Sequence, residues 1–477
     1  MTAKLTKIIA TIGPSCDNVE KIKDLIEYGV NIFRFNFKHS TVEWHAERLK
    51  LVDMVSQDLN LPIGTLLDLQ GPEIRLNTPE GKPIQLSPGD LVYIGNDPRP
   101  EDTKWFSINH VDVLKHLIVG QEVIVEDGKF TFEVVETGDR CVVRSVNEGE
   151  LGNRKSFNIP GADFPFPVLI DRDREGLRLA KDHEVDFIAL SFVRSAEDLR
   201  IVREEMNRMG IRSQLIAKIE TQKALLDLDA IVDASDGVMV ARGDLGVELP
   251  KEQVPYYQRI IITKCVEKGI PVITATQMLQ SMIDAPHPTR AEVSDIANAT
   301  YDLTDAVMLS GETAQGKYPL DAVNVMAKTV MFNETKFHVD SRTRFKYQIE
   351  DTEQMICNAA YSLYLQCIEM GEDLAGFIVF TQSGRTARIL SRYRPSLPIF
   401  AFTPTIQIRD SLSMNYAVVP LAQEILENEP VTNDNILSAL HFLQHNGYLK
   451  AKKKVIVLHG DVWALQGGTS TMKIVTV

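Results

Sequence analysis

The stretch DFIALSFVRSAEDLRIVREEMNRMGIRSQLIAKIE, residues 186–220, contains one complete strand–helix–strand unit. Two short apolar runs, DFIALSFV (186–193) and QLIAKIE (214–220), have the length and composition of buried strands. Between them, SAEDLRIVREEMNRMG has apolar residues at helical spacing and closes on a glycine, as many helices do. Strands joined through a helix in this way lie parallel, so the stretch predicts an α/β fold.

The same alternation extends along much of the chain. Helical patterns such as NVEKIKDLIEYG and PYYQRIIITKCVEKG separate most of the apolar runs. Eight nearly continuous apolar strands favour a closed parallel (β/α)₈ barrel over an open sheet. The eight strands are predicted at TKIIATIG (6–13), NIFRFNF (31–37), IGTLLDL (63–69), DFIALSFV (186–193), QLIAKIE (214–220), GVMVARGDL (237–245), PVITATQML (271–279) and DAVMLSGET (305–313).

The alternation is interrupted once and is later replaced by a second pattern. Between Arg75 and about Pro160 the helical period gives way to turns and runs such as QEVIVEDGKFTFEVVETGDRCVVRSV, which predict a small inserted β domain. This domain leaves the barrel after the third strand, on the face where a lid would be useful. The predicted domains are a barrel of residues 1–75 and 161–345, an inserted β-barrel lid of residues 76–160, and a C-terminal α/β domain of residues 346–477.

Composition narrows the class of protein. The chain has 477 residues, 44% of them hydrophobic, and a net charge of −14, which argues against a nucleic-acid partner. No apolar stretch approaches the length of about 18 residues that suggests a membrane-spanning helix. Five scattered cysteines without a C-x-x-C pair fit reduced thiols. We therefore expect a cytoplasmic protein without a membrane partner.

Polar side chains follow nearly every predicted barrel strand. The loops after the strands of such a barrel form its active face, so these side chains are expected to converge on one mouth. Any one of them could simply cap a helix or lie in a solvated loop. As a set they predict a functional site. They are Arg34, Asn36 and Lys38; Asp68; Ser191; Lys218 and Glu220; Arg242 and Asp244; Thr276 and Gln277; and Ser310 and Glu312.

The segments AKIE (217–220) and ARGDLG (241–246) predict the chemistry of that mouth. Strand alternation places Lys218 and Glu220 on the same side, where they could form no more than a buried salt bridge. Alternatively, Glu220 and Asp244 supply hard oxygen ligands for Mg²⁺, and Lys218 stabilises negative charge beside the metal. Two carboxylates leave coordination positions that substrate oxygens could fill.

Three patterns that would indicate other sites are incomplete or absent. GETAQGK (311–317) has the glycine and lysine spacing of a phosphate-binding loop, but Tyr318 stands where a serine or threonine should hold Mg²⁺. No predicted strand-to-helix turn has the dinucleotide-binding fingerprint G-x-G-x-x-G. His39 and His45 lack the spacing of metal ligands.

Long motifs in the chain closely resemble those of the pyruvate kinase family. The resemblance implies phosphoryl transfer from phosphoenolpyruvate to ADP, giving pyruvate and ATP, in the last step of glycolysis. It also implies a homotetramer whose lid closes over the nucleotide. The motifs that carry it, in order, are IATIGPSC, RFNFKHS, LLDLQGPEIR, AKIET, MVARGDLGVE, ATQMLQSM, PTRAEVSDIANA and LSGETAQGKYP.

Roles for single residues follow from the resemblance. Arg34 is similar to the arginine that holds the transferring phosphoryl group, and Lys218 to the lysine that stabilises the transition state. Glu220 and Asp244 match the ligands of Mg²⁺, and Thr276 matches the start of the proton relay to the enolate. Contacts with the substrate are implied for Arg34, Phe192, Gly243, Asp244 and Thr276. Positions at the nucleotide are implied for Asn36, His39, Arg75 and Arg172, although the family commonly has lysine at the last.

The family's monovalent-cation region differs here. The family's N-F-S-H reads Asn36-Phe37-Lys38-His39, and its L-D-T-K-G reads Leu67-Asp68-Leu69-Gln70-Gly71. A serine ligand of K⁺ is thus replaced by an ammonium, whereas Glu73 is retained, a position that potassium-independent members typically change to lysine. We expect Lys38 to point inward toward Asp68 and to replace K⁺, unless it only lies on the surface at the next helix start. The region comprises Asn36, Lys38, Asp68, Leu69 and Glu73.

Two further functions remain open at this stage. A Mg²⁺-dependent aldolase or lyase barrel could use Glu220 and Asp244 equally, although it would not need Arg34 and Lys218 as well. A catalytically inactive binding protein is suggested only by the changes at Lys38 and Leu69.

A last motif predicts regulation. TQSGRTAR (381–388) lies between a strand and a helix and resembles the family's effector-phosphate loop. The predicted contacts are Thr381, Ser383, Gly384 and Thr386, and the alternative is an ordinary helix cap. The sequence does not identify the effector.

Overall fold

The computed structural model describes residues 4–99, 102–138, 140–162, 164–336, 340–422, 431–460 and 468–477. Eight parallel strands close into a barrel in the order β1-β17-β16-β15-β14-β13-β3-β2, which confirms the predicted fold class. Their side chains are almost entirely buried, as expected for strands covered on both faces. The strands are β1 (Lys7–Thr11), β2 (Ile32–Asn36), β3 (Gly64–Asp68), β13 (Phe187–Leu190), β14 (Gln214–Ile219), β15 (Gly237–Ala241), β16 (Val272–Ala275) and β17 (Ala306–Leu309).

Helices cover the outside of the barrel. Several begin at a residue whose side chain accepts a backbone N–H of the first turn, for example Asn18, Thr41 and Thr289. Two end at a left-handed glycine, Gly210 and Gly269. The helices are α1 (Val19–Glu27), α2 (Val42–Leu59), α3 (Asp171–Asp182), α4 (Ala196–Met209), α5 (Gln222–Leu226), α6 (Leu228–Ala234), α7 (Arg242–Glu248), α8 (Val254–Lys268), α9 (Arg290–Tyr301), α10 (Gly311–Ala314) and α11 (Pro319–Glu334).

The inserted domain lies between β3 and α3 and is built of strands, as predicted. A seven-stranded sheet in the order β12-β8-β9-β10-β6-β7-β4 and a two-stranded sheet of β11 and β5 enclose a separate core that includes Phe106, Phe130 and Phe132. The strands are β4 (Leu76–Asn77), β5 (Ile84–Leu86), β6 (Leu91–Ile94), β7 (Trp105–Ile108), β8 (Glu122–Val125), β9 (Phe130–Glu136), β10 (Cys141–Ser145), β11 (Gly149–Leu151) and β12 (Phe157–Asn158). The domain limits given above stay predictions.

The C-terminal part is a five-stranded sheet in the order β20-β19-β18-β21-β22, flanked by helices. This sheet with its helices is the C-terminal α/β part of the predicted fold class. Strand β22 is the only antiparallel member of this sheet among the described residues. The elements are α12 (Thr352–Glu369), β18 (Leu374–Phe380), α13 (Arg385–Arg392), β19 (Ile399–Thr403), α14 (Ile406–Ser411), β20 (Val418–Ala422), α15 (Asn433–His445), β21 (Lys454–Gly460) and β22 (Thr469–Thr476).

A buried ion pair joins this sheet domain to the barrel. Arg394, which follows α13, contacts both carboxylate oxygens of Asp305 at 2.9 and 2.5 Å, next to the start of β17. Asp305 also accepts the backbone N–H groups of Val272 and Tyr416, so its charge is fully engaged although it is buried. Separately, none of the helices in the described ranges is long and apolar enough to cross a membrane.

Candidate active site

Asp68, the last residue of β3, joins the two cations of the barrel mouth. Its Oδ2 accepts Arg34 Nε at 2.8 Å and lies 2.6 Å from Arg34 Nη2, while its Oδ1 lies 3.2 Å from Lys218 Nζ. Burial alone would raise the pKa of Asp68, but the charges of Lys218 and Arg34 outweigh it and hold the pKa below its ordinary value. Arg34 also donates from Nη1 to Thr11 Oγ1 at 2.9 Å. The carboxylate therefore fixes both cations relative to each other.

Lys218 makes three polar contacts from one ammonium group. Its Nζ lies 2.7 Å from Glu220 Oε1, 2.7 Å from Ser191 Oγ and 3.2 Å from Asp68 Oδ1. Burial lowers the pKa of Lys218, but the carboxylates around it have the larger combined effect and raise the pKa above its ordinary value. The predicted placement of Lys218 and Glu220 on one side of β14 is thus observed, with the two groups ion-paired.

Glu220 and Asp244 are the two carboxylates that the sequence assigned to a metal. Glu220 is buried, and its Oε2 accepts the backbone N–H of Phe192 at 2.6 Å. Burial and the neighbouring Glu220 raise the pKa of Asp244 to about 7. No cluster of three or more His, Cys, Asp or Glu side chains suited to a metal ion occurs in the described part of the chain. Two carboxylates fit a hard divalent cation that takes its other ligands from substrate and water.

Asp244 is not on a strand, contrary to the predicted run GVMVARGDL. Strand β15 ends at Ala241, and Arg242–Glu248 form the short helix α7, so Gly243 and Asp244 occupy its first turn. The backbone N–H of Gly243 donates to Thr276 Oγ1 at 2.8 Å. This contact ties the first turn of α7 to the end of β16.

Three residues of the mouth have left-handed backbone angles. The φ values are 57° at Phe192, 65° at Thr276 and 56° at Gln277, and this region is unfavourable for a β-branched residue such as Thr276. Arg242 holds the strained loop, because it donates to the carbonyl oxygens of Ala275 and Thr276 at 3.1 and 2.6 Å. Strained backbone of this kind is typical of functional sites.

Lys38 contacts a different carboxylate from the one predicted. Its Nζ lies 2.5 Å from Glu73 Oε1, whereas both oxygens of Asp68 contact Arg34 and Lys218. Strand β2 ends at Asn36, so strand alternation no longer governs the direction of a side chain two residues further on. Glu73 Oε2 in turn contacts Arg75 Nη2 at 2.7 Å, which places the carboxylate between two cations.

The helix-start alternative for Lys38 does not hold. The first turn of α2 is capped by Thr41, whose side chain accepts the backbone N–H of Trp44 at 3.2 Å. Lys38 instead pairs with Glu73, and both residues line the same cavity as Asp244.

The other predicted nucleotide and cation positions lie around this group. Asn36 Oδ1 accepts the Lys38 backbone N–H at 3.4 Å, and burial together with Lys38 and Arg75 lowers the pKa of His39. Arg172 does not line the cavity that Lys38 and Asp244 line: it donates to the carbonyl oxygens of Phe37 and Ser40 and lies 3.9 Å above the Phe37 ring.

A cavity of about 850 Å³ lies between the inserted domain and the barrel mouth. Phe192 and Asp244 line it at the barrel mouth, and Lys38, Glu73 and Arg75 also line it. The inserted domain contributes residues such as Glu126, Lys155 and Phe157. A space of this size, lined by both charged and aromatic side chains, suits a small polar substrate.

In the predicted effector loop, the hydroxyl of Thr386 contacts a carboxylate of the protein itself. Gly384 (φ 80°) precedes α13, and Thr381 and Ser383 lie between β18 and that helix. The hydroxyl of Thr386 donates to the buried Glu353 of α12 at 2.5 Å and contacts Thr469 Oγ1 at 2.9 Å. Arg385 forms a further ion pair with Glu353.

Two supporting residues were not recognised from the sequence. Asp173 of α3 accepts the backbone N–H groups of Gln70 and Gly71 at 2.9 and 3.1 Å, which fixes the loop after β3. Ser191 was noted only as a polar strand end, yet its hydroxyl donates to the Leu69 carbonyl oxygen at 2.8 Å. For Asp173, the only signal in the sequence is an acidic residue near a helix start. For Ser191, no local pattern indicates its hydrogen-bond partners.

Comparison with known proteins agrees with this arrangement. The family model described as "Pyruvate kinase, barrel domain" matches residues 3–323, and "Pyruvate kinase, alpha/beta domain" matches residues 358–475. The chain is 37% identical to "Pyruvate kinase 2" of Synechocystis sp. over 99% of this chain and 79% of that protein. It is 36% identical to "Pyruvate kinase" of Clostridium acetobutylicum and 37% identical to that of Thermotoga maritima, in each case over 99% of both chains.

Proposed function

The chain belongs to the pyruvate kinase family of phosphotransferases, and on that premise we propose that the Arg34–Asp68–Lys218–Glu220 network is where it transfers a phosphoryl group. Family membership implies phosphoenolpyruvate and ADP as substrates and a divalent metal ion as cofactor. The observation that carries the proposal is the pair of cations, Arg34 and Lys218, which both contact one buried carboxylate at the mouth of the barrel.

Positioned cations suit phosphoryl transfer, because the protein contributes mainly orientation and charge stabilisation to this reaction. In the proposed mechanism, Arg34 binds the phosphoryl oxygens while Asp68 holds its guanidinium in place. Lys218 faces the same group and stabilises the charge that spreads over it in the transition state. The inserted domain excludes water, which strengthens these interactions.

The metal proposed for this site is Mg²⁺, held by Glu220 and Asp244. When bound, it would neutralise negative charge on the substrate oxygens. Glu220 also contacts Lys218, and its carboxylate has enough lone pairs to accept from the ammonium and to hold the metal. Asp244, on the first turn of α7, supplies the second oxygen ligand.

Thr276 is proposed to begin the proton transfer that converts the enolate to pyruvate. Its Oγ1 accepts the backbone N–H of Gly243, which leaves the hydroxyl proton free to point elsewhere. Gly243 and Phe192 flank the substrate in this proposal. The left-handed backbone at Thr276, held by Arg242, fixes the hydroxyl at the mouth.

We further propose that the enzyme needs little or no K⁺, because Lys38 supplies a fixed positive charge. The ammonium lines the cavity and is anchored by Glu73, which Arg75 holds from the other side. A charge carried by the chain avoids the entropy of recruiting an ion. Asn36, Asp68 and the Leu69 carbonyl, the remaining elements of a K⁺ site, are engaged in protein contacts.

Other parts of the proposal follow from family membership. ADP is proposed to bind near Asn36, His39, Arg75 and Arg172, the enzyme to assemble as a homotetramer, and its location to be the cytoplasm. A phosphorylated effector at Thr381, Ser383, Gly384 and Thr386 would have to displace Glu353 from the Thr386 hydroxyl. Phosphoenolpyruvate saturation curves that do not change across a panel of phosphorylated metabolites would contradict the effector proposal.

A coupled assay with phosphoenolpyruvate, ADP and Mg²⁺ tests the function. Lys218→Met is expected to lower kcat at least about a hundredfold while phosphoenolpyruvate binding stays nearly intact, because the charge acts mainly in the transition state. A variant that keeps about a tenth of the wild-type kcat would contradict the role of Lys218. A wild-type chain without activity on phosphoenolpyruvate and ADP would instead favour one of the two alternatives, the aldolase or lyase barrel and the inactive binding protein.

A further inference from the structure

Ser191 lies immediately beyond β13 and is 5% exposed. Its Oγ lies 2.7 Å from Lys218 Nζ on one side and 2.8 Å from the Leu69 carbonyl oxygen on the other. An ammonium can only donate and a carbonyl can only accept, so the direction of both hydrogen bonds is fixed. The serine proton points to Leu69, and the serine lone pairs face Lys218.

The three acceptors around Lys218 differ in what they do to its charge. Asp68 and Glu220 are carboxylates, whereas Ser191 is neutral. A neutral acceptor holds the ammonium without cancelling its positive charge. Under the proposed function, Glu220 would share its charge with a divalent cation, which leaves Asp68 and Ser191 as the two acceptors of Lys218 that hold no metal.

The surroundings of Ser191 make it a rigid support. Gly71 has a φ of 69°, and a Cβ there would lie 3.1 Å from the Ser191 Cβ and 2.7 Å from the Phe192 ring. The loop after β3 therefore packs directly on the residue. Leu69 has no polar side-chain atom, so only its carbonyl oxygen can accept from Ser191. The serine rotamer therefore depends on the backbone of that loop.

We propose that Ser191 is a positioning residue, whose hydroxyl aligns the Lys218 ammonium with the transferring phosphoryl group by linking it to the backbone after β3. This inference rests on the proposed function of Lys218. A misplaced ammonium would stabilise the transition state less well but would leave the other substrate contacts in place.

The experiment compares Ser191→Ala and Ser191→Cys with a matched control. Ser213→Ala removes a buried serine that likewise donates to a carbonyl oxygen, that of Val185, at the opposite end of the same barrel. Ser213 directly precedes β14, the strand that carries Lys218. For each variant, kcat, KM for phosphoenolpyruvate and the thermal unfolding midpoint are measured.

Ser191→Ala is expected to lower kcat by about ten- to a hundredfold, the effect of one hydrogen bond to a charged group, with KM nearly unchanged. Ser191→Cys, of similar size and with a weaker acceptor, should give an intermediate kcat. Ser213→Ala should keep the wild-type kcat even if its unfolding midpoint falls as much as that of Ser191→Ala.

Two results would overturn the inference. One is a kcat of Ser191→Ala that matches that of Ser213→Ala, and the other is equal kcat for the Ala and Cys variants. Loss of folding in Ser191→Ala leaves the Cys variant to decide, since a wild-type kcat there also contradicts the role. A wild-type enzyme without phosphoryl transfer would refute the proposed function itself, which is a separate result.

Discussion

At the scale of single residues, charge pairing determines what each side chain of the mouth can do. Both oxygens of Asp68 form ion pairs, one with Arg34 and one with Lys218. Lys38 instead forms its ion pair with Glu73. The ammonium therefore stands at the cavity wall rather than beside Asp68. A fixed cation at this place is the basis for the proposed independence from K⁺.

The variant Lys38→Ser tests whether the fixed charge of Lys38 takes the place of K⁺. Loss of the fixed charge is expected to lower the rate in potassium-free buffer at least about tenfold, and added K⁺ should restore part of it. The measurement is the initial rate of pyruvate formation at increasing K⁺. Lys82→Ser, which breaks an exposed ion pair with Glu80 in the inserted domain, is the control and should behave as wild type. A Lys38→Ser enzyme with the full rate and no response to K⁺ would contradict the role.

At the scale of elements, the eight barrel strands were predictable because each is an apolar run of strand length between turn or helix signals. The direction of Lys38 was not, because it lies in a turn after β2 ends at Asn36. The helical start at Arg242 was also missed, since the preceding residue, Ala241, is not one of the residue types that typically cap a helix. Thr386 was assigned to an anion, but its partner Glu353 lies on α12, a contact that depends on tertiary packing.

The start of β13 carries a buried carboxylate with a consequence for stability. Asp186 Oδ2 accepts the backbone N–H and the hydroxyl of Thr65 at 2.8 and 2.9 Å. Burial and the nearby Asp410 raise the pKa of Asp186 to about 8, and burial also raises the pKa of Asp53 to about 6. Arg409 is not available to offset Asp186, because it pairs with Asp410.

The folded chain therefore binds the Asp186 proton more tightly than the unfolded chain, whose carboxyl has the ordinary value. The free energy of unfolding is expected to fall as the pH rises from about 4 to about 8. Asp186→Asn should reduce that fall, as measured by urea unfolding across this range. Asp171→Asn, at an exposed site of α3, controls for the change in net charge. An unchanged pH dependence in Asp186→Asn would contradict this account.

At the scale of the whole molecule, three folded parts are joined at two kinds of junction. The inserted domain meets the barrel around an open cavity, where polar residues of both line the space. The C-terminal domain instead meets the opposite end of the barrel through buried contacts such as Arg394 to Asp305, whose side chains are 3% and 1% exposed. The first junction leaves space for a substrate, and the second is closed by buried contacts.

Arg394→Leu is expected to destabilise the molecule by about 3 to 5 kcal/mol, because it leaves the buried Asp305 charge without its partner. Chemical denaturation measures the change. Arg200→Leu breaks an exposed pair with Glu197 on α4 and should cost less than about 1 kcal/mol. Equal costs for the two substitutions would show that the buried pair has no special role at the junction.

Lys38 is proposed to be the fixed cation with which this enzyme transfers a phosphoryl group from phosphoenolpyruvate to ADP. The most direct test is the initial rate of the wild-type enzyme with both substrates and Mg²⁺, in buffer free of K⁺ and Na⁺ and then with K⁺ added. The account predicts a high rate without K⁺ that hardly changes when K⁺ is supplied, because Lys38 is held by Glu73 at the cavity wall. An enzyme that is inactive until K⁺ is added would contradict it.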